Sequence, residues 1–232
     1  KDGLLRRLRQ RHEPEMPELR RTLSGGFPVL SRLWRKAGRC RISGRRDMLT
    51  WEFSVLDFIQ AHLRSGIGDI VMPLITHLGD SGVIWVVLAL VLLIYPKTRK
   101  TGAALAVALA LEVICCNLIL KPFVARIRPC DINTAVQLLI PRPDDFSFPS
   151  GHTGASFAAA SALYFSGSKL RFPALILAAL IGFSRLYLYV HYPTDVLAGA
   201  VLGALLGWVG CTLIRLMERR FYHHDHSALF RS

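Results

Sequence analysis

Two histidines, an aspartate and the cations Lys121, Arg128 and Arg185 fall into three short stretches of this 232-residue chain. The stretches are Lys121-Pro-Phe-Val-Ala-Arg-Ile-Arg128-Pro129, Pro149-Ser150-Gly151-His152 and Ser184-Arg185-Leu-Tyr-Leu-Tyr-Val-His191-Tyr-Pro-Thr-Asp195. Three fixed cations, Lys121, Arg128 and Arg185, imply an anionic ligand, and phosphate suits Arg forks and a Lys point charge. Ser150-Gly151-His152 reads as the opening of a helix, where free backbone N–H groups favour an anion. Gly151 lets that backbone approach closely. His191 and Asp195 are four residues apart, with Pro193 placed to start a helix. That spacing lets the carboxylate accept from one ring nitrogen and leaves the other as a directed nucleophile. His152 then remains to donate a proton to a leaving group.

The elements that must position these residues are apolar. The composition is 52% hydrophobic and only 19% charged, with a formal net charge of +13. Residues 1–47 hold 14 Lys or Arg against 5 acidic residues, so the rest of the chain is more apolar than the average. This excludes a disordered protein, argues against a soluble enzyme, and turns the basic balance from nucleic acid to a membrane flank. Gly82–Tyr95, Thr101–Leu120, His152–Phe165, Phe172–Val190 and Val196–Met217 read as spans. Residues 51–79 are ambiguous: 51–64 is amphipathic, and Ile67–Leu78 is apolar but short and holds Asp69 and His77. Basic residues follow the spans at Lys97–Lys100, Lys169–Arg171 and Arg215–Arg220, which the positive-inside rule assigns to the cytoplasm. With six crossings both termini are inside. All three stretches then meet on the outer face.

Lys-x6-Arg-Pro, Pro-Ser-Gly-His and Ser-Arg-x5-His-x3-Asp match the three signatures of the type-2 phosphatidic acid phosphatase superfamily, so the chain resembles that family over roughly residues 80–217. The resemblance implies an all-α integral membrane protein, a six-helix transmembrane bundle whose first helix is atypical and amphipathic. It also implies a phosphohistidine mechanism with no cofactor and no metal. His191 is then the nucleophile, Asp195 its orienting partner and His152 the general acid. Lys121, Arg128, Ser150, Gly151 and Arg185 would hold the phosphoryl group. The wording around Asp145–Thr153 and Leu188–Asp195 is similar to bacterial undecaprenyl-diphosphatases. The expected reaction is hydrolysis of undecaprenyl diphosphate to undecaprenyl phosphate at the outer face of the cell (inner) membrane. Phosphatidylglycerophosphate, phosphatidate, lipid A and phosphotransfer to a second lipid are the alternatives, and a non-enzymatic lipid-anion binder or transporter is the alternative of a different class.

The remaining features are assigned plainer roles. Residues 1–47 are expected to be a disordered basic extension, with Met48 a possible start, 48–80 the first helical region, 81–217 the catalytic bundle and 218–232 a cytoplasmic tail. The five cysteines show no CxxC or Cys/His ligand spacing. His223, His224 and His226 belong to the tail. Gly199, Gly203 and Gly207 form a repeated GxxxG stripe, for packing within the bundle or for a homodimer. Membrane lipids and a lipid phosphate or pyrophosphate are the expected partners, and nucleic acid is not. Asn117 shares the Lys121 face of its helix. Glu112, nine residues before Lys121, sits half a turn away on an α-helix and is expected to bond elsewhere in the core.

Overall fold

Helices begin and end in this chain where polar or glycine residues interrupt apolar runs. The computed structural model describes residues 50–229, and every regular element among them is helical. The expectations for residues 1–47 lie outside the described residues. Helix α1 covers 50–62. Helix α2, Gly66–Leu78, is capped by Ser65, whose hydroxyl accepts from the Gly68 N–H at 3.1 Å. A 3-10 turn, Asp80–Gly82, leads into α3, Val83–Ile94. Helix α4, Arg99–Glu112, continues as a π-helix over Val113–Leu120 and one further turn, α5, Lys121–Val124. The short α6 is Pro129–Ile132, followed by α7, Gly151–Phe165, α8, Arg171–Tyr187, and α9, Pro193–Leu229.

Helix α7 is the centre of the bundle. It packs on α4, α8 and α9, and its Ala155, Ala158, Ala159, Ala160, Ala162 and Leu163 are buried. Small side chains let helix backbones approach closely, which is the packing available where lipid supplies no hydrophobic drive. The glycine stripe of α9 completes that contact. A Cβ on Gly199 would lie 2.6 Å from the Ser150 carbonyl, one on Gly207 2.5 Å from that of Ala158, and one on Gly203 would collide with the Gly154 carbonyl. The face offered above for a homodimer is therefore covered by α7 of the same chain.

Arg99–Ile132 and Pro193–Arg220 are long and apolar enough to cross a membrane, and α2 with α3, bent by 47°, supply a third stretch if the pair is one span. Six crossings were expected. The region 51–79 does not form one of them as a single helix, because Leu63–Ser65 breaks it. Helix α1 is tied along its length to the segment after α8: Phe53 packs edge-on against Tyr192, the Tyr189 hydroxyl donates to Asp57 at 2.7 Å, and Gln60 Nε2 donates to the Tyr187 carbonyl at 2.7 Å. It lies across one end of the bundle. At the opposite end Lys100 pairs with Glu218 at 2.9 Å, and Arg215 donates to the Phe165 carbonyl. The basic loops thus share an end remote from Lys121, His152 and His191.

Candidate active site

The three stretches reach one place through helix ends. Lys121 stands at the exit of the π-helix, Arg128 just before α6, and His152 in the first turn of α7. Arg185 comes from the last turn of α8, and His191 from the short link to α9. Together Lys121, Arg128, Gly151, His152, Arg185 and His191 line a cavity of about 900 Å³. Its polar end holds these groups, and Val86, Leu109, Val113 and Ala155 give it an apolar wall between α3, α4 and α7.

His191 is the most constrained of them, at 1% exposed. Its Nδ1 lies 2.7 Å from the Ser147 carbonyl, which can only accept, so the proton sits on Nδ1. Nε2 is left with its lone pair, toward which the Arg128 Nη1 donates at 3.1 Å. Burial, with Arg128 and Arg185 nearby, pushes the His191 pKa well below the ordinary histidine value. The ring is neutral and aimed.

Asp195 differs from the expectation. Its Oδ2 is 3.6 Å from His191 Nδ1, beyond hydrogen-bond distance, and instead accepts from Ser147 Oγ at 2.5 Å and from the Tyr192 N–H at 2.9 Å. Asp195 therefore orients His191 through Ser147, because the loop carbonyl is nearer to the ring than the carboxylate one helical turn on. Its other oxygen accepts from Arg126 Nη1 at 2.6 Å, and Arg126 also pairs with Glu52 of α1. Ser150, expected among the phosphate ligands, is fully buried behind the cavity wall. Its N–H donates to the Asp195 carbonyl at 3.1 Å and its hydroxyl meets Thr153 at 3.0 Å. It ties α7 to α9.

The cations are partly matched from within. Asp145 pairs with Lys121 and accepts from Arg128 Nη2 at 2.5 Å. Burial pushes the Asp145 carboxyl up, yet the Lys121 ammonium and Arg128 guanidinium prevail and hold it at about 2. Arg185 is 3% exposed, with Nη1 donating to Thr76 at 2.6 Å and its Nε without a partner among the described residues. A buried guanidinium with a spare donor is a ready anion ligand.

Glu112 reverses the expectation and lines the same cavity as Lys121 and Asn117. The π-helix between them winds more residues into each turn, so nine residues close about two turns instead of two and a half. Its Oε1 has no hydrogen-bond partner among the described residues and faces Gly154, where a Cβ would lie 2.5 Å away. Sequence reading also missed Arg126, Ser147, Asp145 and Asp80. The first stood inside the Lys121–Arg128 stretch; Ser147 and Asp145 preceded Pro149.

The described residues thus form a helical bundle with a cationic, histidine-bearing cavity at one end. Residues 101–219 match the PAP2 superfamily, and the chain belongs to it. It is 33% identical over 127 residues to an undecaprenyl-diphosphatase of Sulfolobus acidocaldarius, a match covering 54% of this chain and 61% of that protein. With undecaprenyl-diphosphatase BcrC of Bacillus subtilis it shares 38% over 89 residues, 38% of this chain and 42% of that one. The chain thus spans less than two thirds of the length of these relatives. Among solved structures it is similar to LpxE of Aquifex aeolicus, with a TM-score of 0.62 and 31% identity over 70% of this chain and 95% of that one. A phosphatidylglycerolphosphate phosphatase from Bacillus subtilis gives 0.60 and 27% over 75% and 87%. The chain is a membrane protein of this family.

Proposed function

We propose that the protein hydrolyses a lipid-linked phosphate or diphosphate through a phosphohistidine, with undecaprenyl diphosphate as the substrate. The observation that carries this is the lone pair of His191 Nε2, held by the Ser147 carbonyl behind it and set beside Arg128 in a cavity that also holds Lys121 and Arg185. A phosphoryl group gripped by the three cations meets Nε2 in line. The nitrogen pair forms the N–P bond as the P–O bond breaks, and the leaving oxygen takes a proton from His152. Water then attacks phosphorus, gives a proton back to His152, and the N–P pair returns to His191 as phosphate leaves.

The apolar wall at Val86, Leu109 and Val113 supports a lipid over a soluble phosphate ester. The two prenyl diphosphatase relatives support a diphosphate head. The basic loops at the far end support a cytoplasmic placement for that end, and so an outward-facing site in the cell membrane. The test is release of inorganic phosphate by the purified chain from a panel of undecaprenyl diphosphate, phosphatidylglycerophosphate, phosphatidate and lipid A. The highest kcat/KM is expected for undecaprenyl diphosphate. Preference for a phosphomonoester would move the substrate assignment, and binding without release from any member would overturn hydrolysis.

A further inference from the structure

His152 is gripped by a carboxylate that the reaction scheme above leaves unused. Asp80 stands in the 3-10 turn between α2 and α3 and lines the cavity. Its Oδ1 is 2.8 Å from His152 Nε2, and its Oδ2 is 2.7 Å from His77 Nδ1. An ionised carboxylate only accepts, so both nitrogens facing it carry protons. Gly79, just before the turn, lies beside the same edge of the ring: a Cβ built there would stand 3.0 Å from His152 Cδ2 and 3.1 Å from Ile181. The Cδ2–Nε2 edge thus faces the turn. The opposite edge carries Nδ1, which makes no hydrogen bond among the described residues.

We propose that Asp80 is a positioning residue for the general acid: it locks the Nε2–H form of His152 so that Nδ1 is the nitrogen that exchanges protons with the substrate. This rests on the phosphatase reading. In the protonated ring both nitrogens carry hydrogen. The Nδ1 proton passes to the leaving oxygen as the P–O bond breaks, the Nε2 proton stays on its bond to Asp80, and the attacking water later returns a proton to Nδ1. Asp80 does not change its own charge. Its second oxygen accepts from His77, and hydrogen bonding of one imidazole nitrogen determines what the other presents. Sequence alone shows His77 only as a polar residue in a short apolar segment and gives no sign of Asp80.

The experiment uses the full chain in detergent micelles and compares wild type with Asp80→Ala, Asp80→Asn and Asp80→Glu. Nitrogen-15 NMR of the His152 ring, assigned by its loss in His152→Gln, is expected to show the Nε2–H tautomer in wild type and a mixture in Asp80→Ala. In turnover, Asp80→Ala is expected to lower kcat by about 10-fold or more while KM changes by less than about twofold, within the range that a general acid supplies. The loss is expected to be larger for phosphatidate than for undecaprenyl diphosphate, and Asp80→Glu to recover part of it. An unchanged tautomer in both Asp80→Ala and Asp80→Asn overturns the proposal, as does a raised KM at constant kcat. If wild type releases phosphate from no lipid, the proposed function fails, and the tautomer alone still decides whether Asp80 sets His152.

Discussion

His191 and His152 face the same cavity but meet different demands, and their replacement separates them. His191→Ala is expected to abolish turnover of every substrate, because no N–P bond can form. In His152→Ala the penalty follows the leaving group. A lipid alcohol leaves as an alkoxide whose conjugate acid is nearly as weak as water, about 15.7. A diphosphate lipid leaves as a phosphate whose second pKa is about 6. The loss is therefore expected to approach the full 10²–10⁴-fold of general acid help on phosphatidate and to be milder on undecaprenyl diphosphate. Equal losses on both would assign His152 to phosphate binding. The buried position of His191 has a pH consequence. Its depressed pKa keeps the ring neutral below the ordinary histidine range, so kcat/KM corrected for substrate ionisation is expected to hold as pH falls from 7 past about 6.5. An acid limb centred at about 6.5 would contradict that environment.

Asp145 acts at the same scale with the opposite charge. It sits on Lys121 and Arg128, the cations that the proposed scheme gives to the substrate phosphate, and in that scheme substrate displaces it. Held at about 2, it remains anionic at every working pH. Because the folded value lies below the ordinary carboxylate value, its ion pairs stabilise the fold above about pH 4 and fade as pH falls toward 2. Asp145→Asn is expected to tighten inhibition by inorganic phosphate by roughly tenfold, since an opposing anion leaves the site. Weaker inhibition would mean that Asp145 arranges the cations rather than competing for them.

Among the elements, the π-helix decides which residues share the cavity. Its wider turns bring Glu112, Asn117 and Lys121 to one face. Deleting Ile114, which is half-exposed, would restore α-winding and turn everything before it by about 100° relative to Lys121. Activity is then expected to fall to the level of Lys121→Ala, with the helical content by circular dichroism preserved. The α7–α9 contact has no such slack. Gly203→Val places two methyls against the Gly154 carbonyl and Ala158, and overpacking of this kind costs about 1–3 kcal/mol or more, read as a lowered Tm in detergent.

For the whole molecule, charge separates the two ends. Lys121, Arg128 and Arg185 bring three positive charges to one cavity, and in the proposed scheme they stabilise the phosphoryl group as a metal would otherwise do. Activity is expected to survive excess EDTA, and loss restored by magnesium would overturn the scheme. Sidedness is tested by single cysteines at opposite ends. Cys130 is buried and a poor probe, whereas Asp144 and Lys97 are exposed. An impermeant maleimide on intact cells is expected to label Asp144→Cys and not Lys97→Cys. The reverse pattern would turn the site to the cytoplasm.

Six of the eight site residues legible in the sequence line the cavity, because each is fixed by local chemistry. A histidine opening a helix, an arginine in its last turn and a basic residue before a proline need only their neighbours to be placed. Apolar length likewise marked the long helices. Tertiary structure alone decided the partners. Ser147 lies 44 residues from His191, Asp80 lies 72 from His152, and Arg126 lies 69 from Asp195, and no periodicity links such pairs. The position of α1 across the site-bearing end came from Phe53, Asp57 and Gln60 meeting residues 187–192. Glu112 departs from a period of about 3.6 residues because the backbone between it and Lys121 adopts i→i+5 bonding. A pattern of side chains records which face is apolar, but the winding that aligns two polar residues depends on the packing around them.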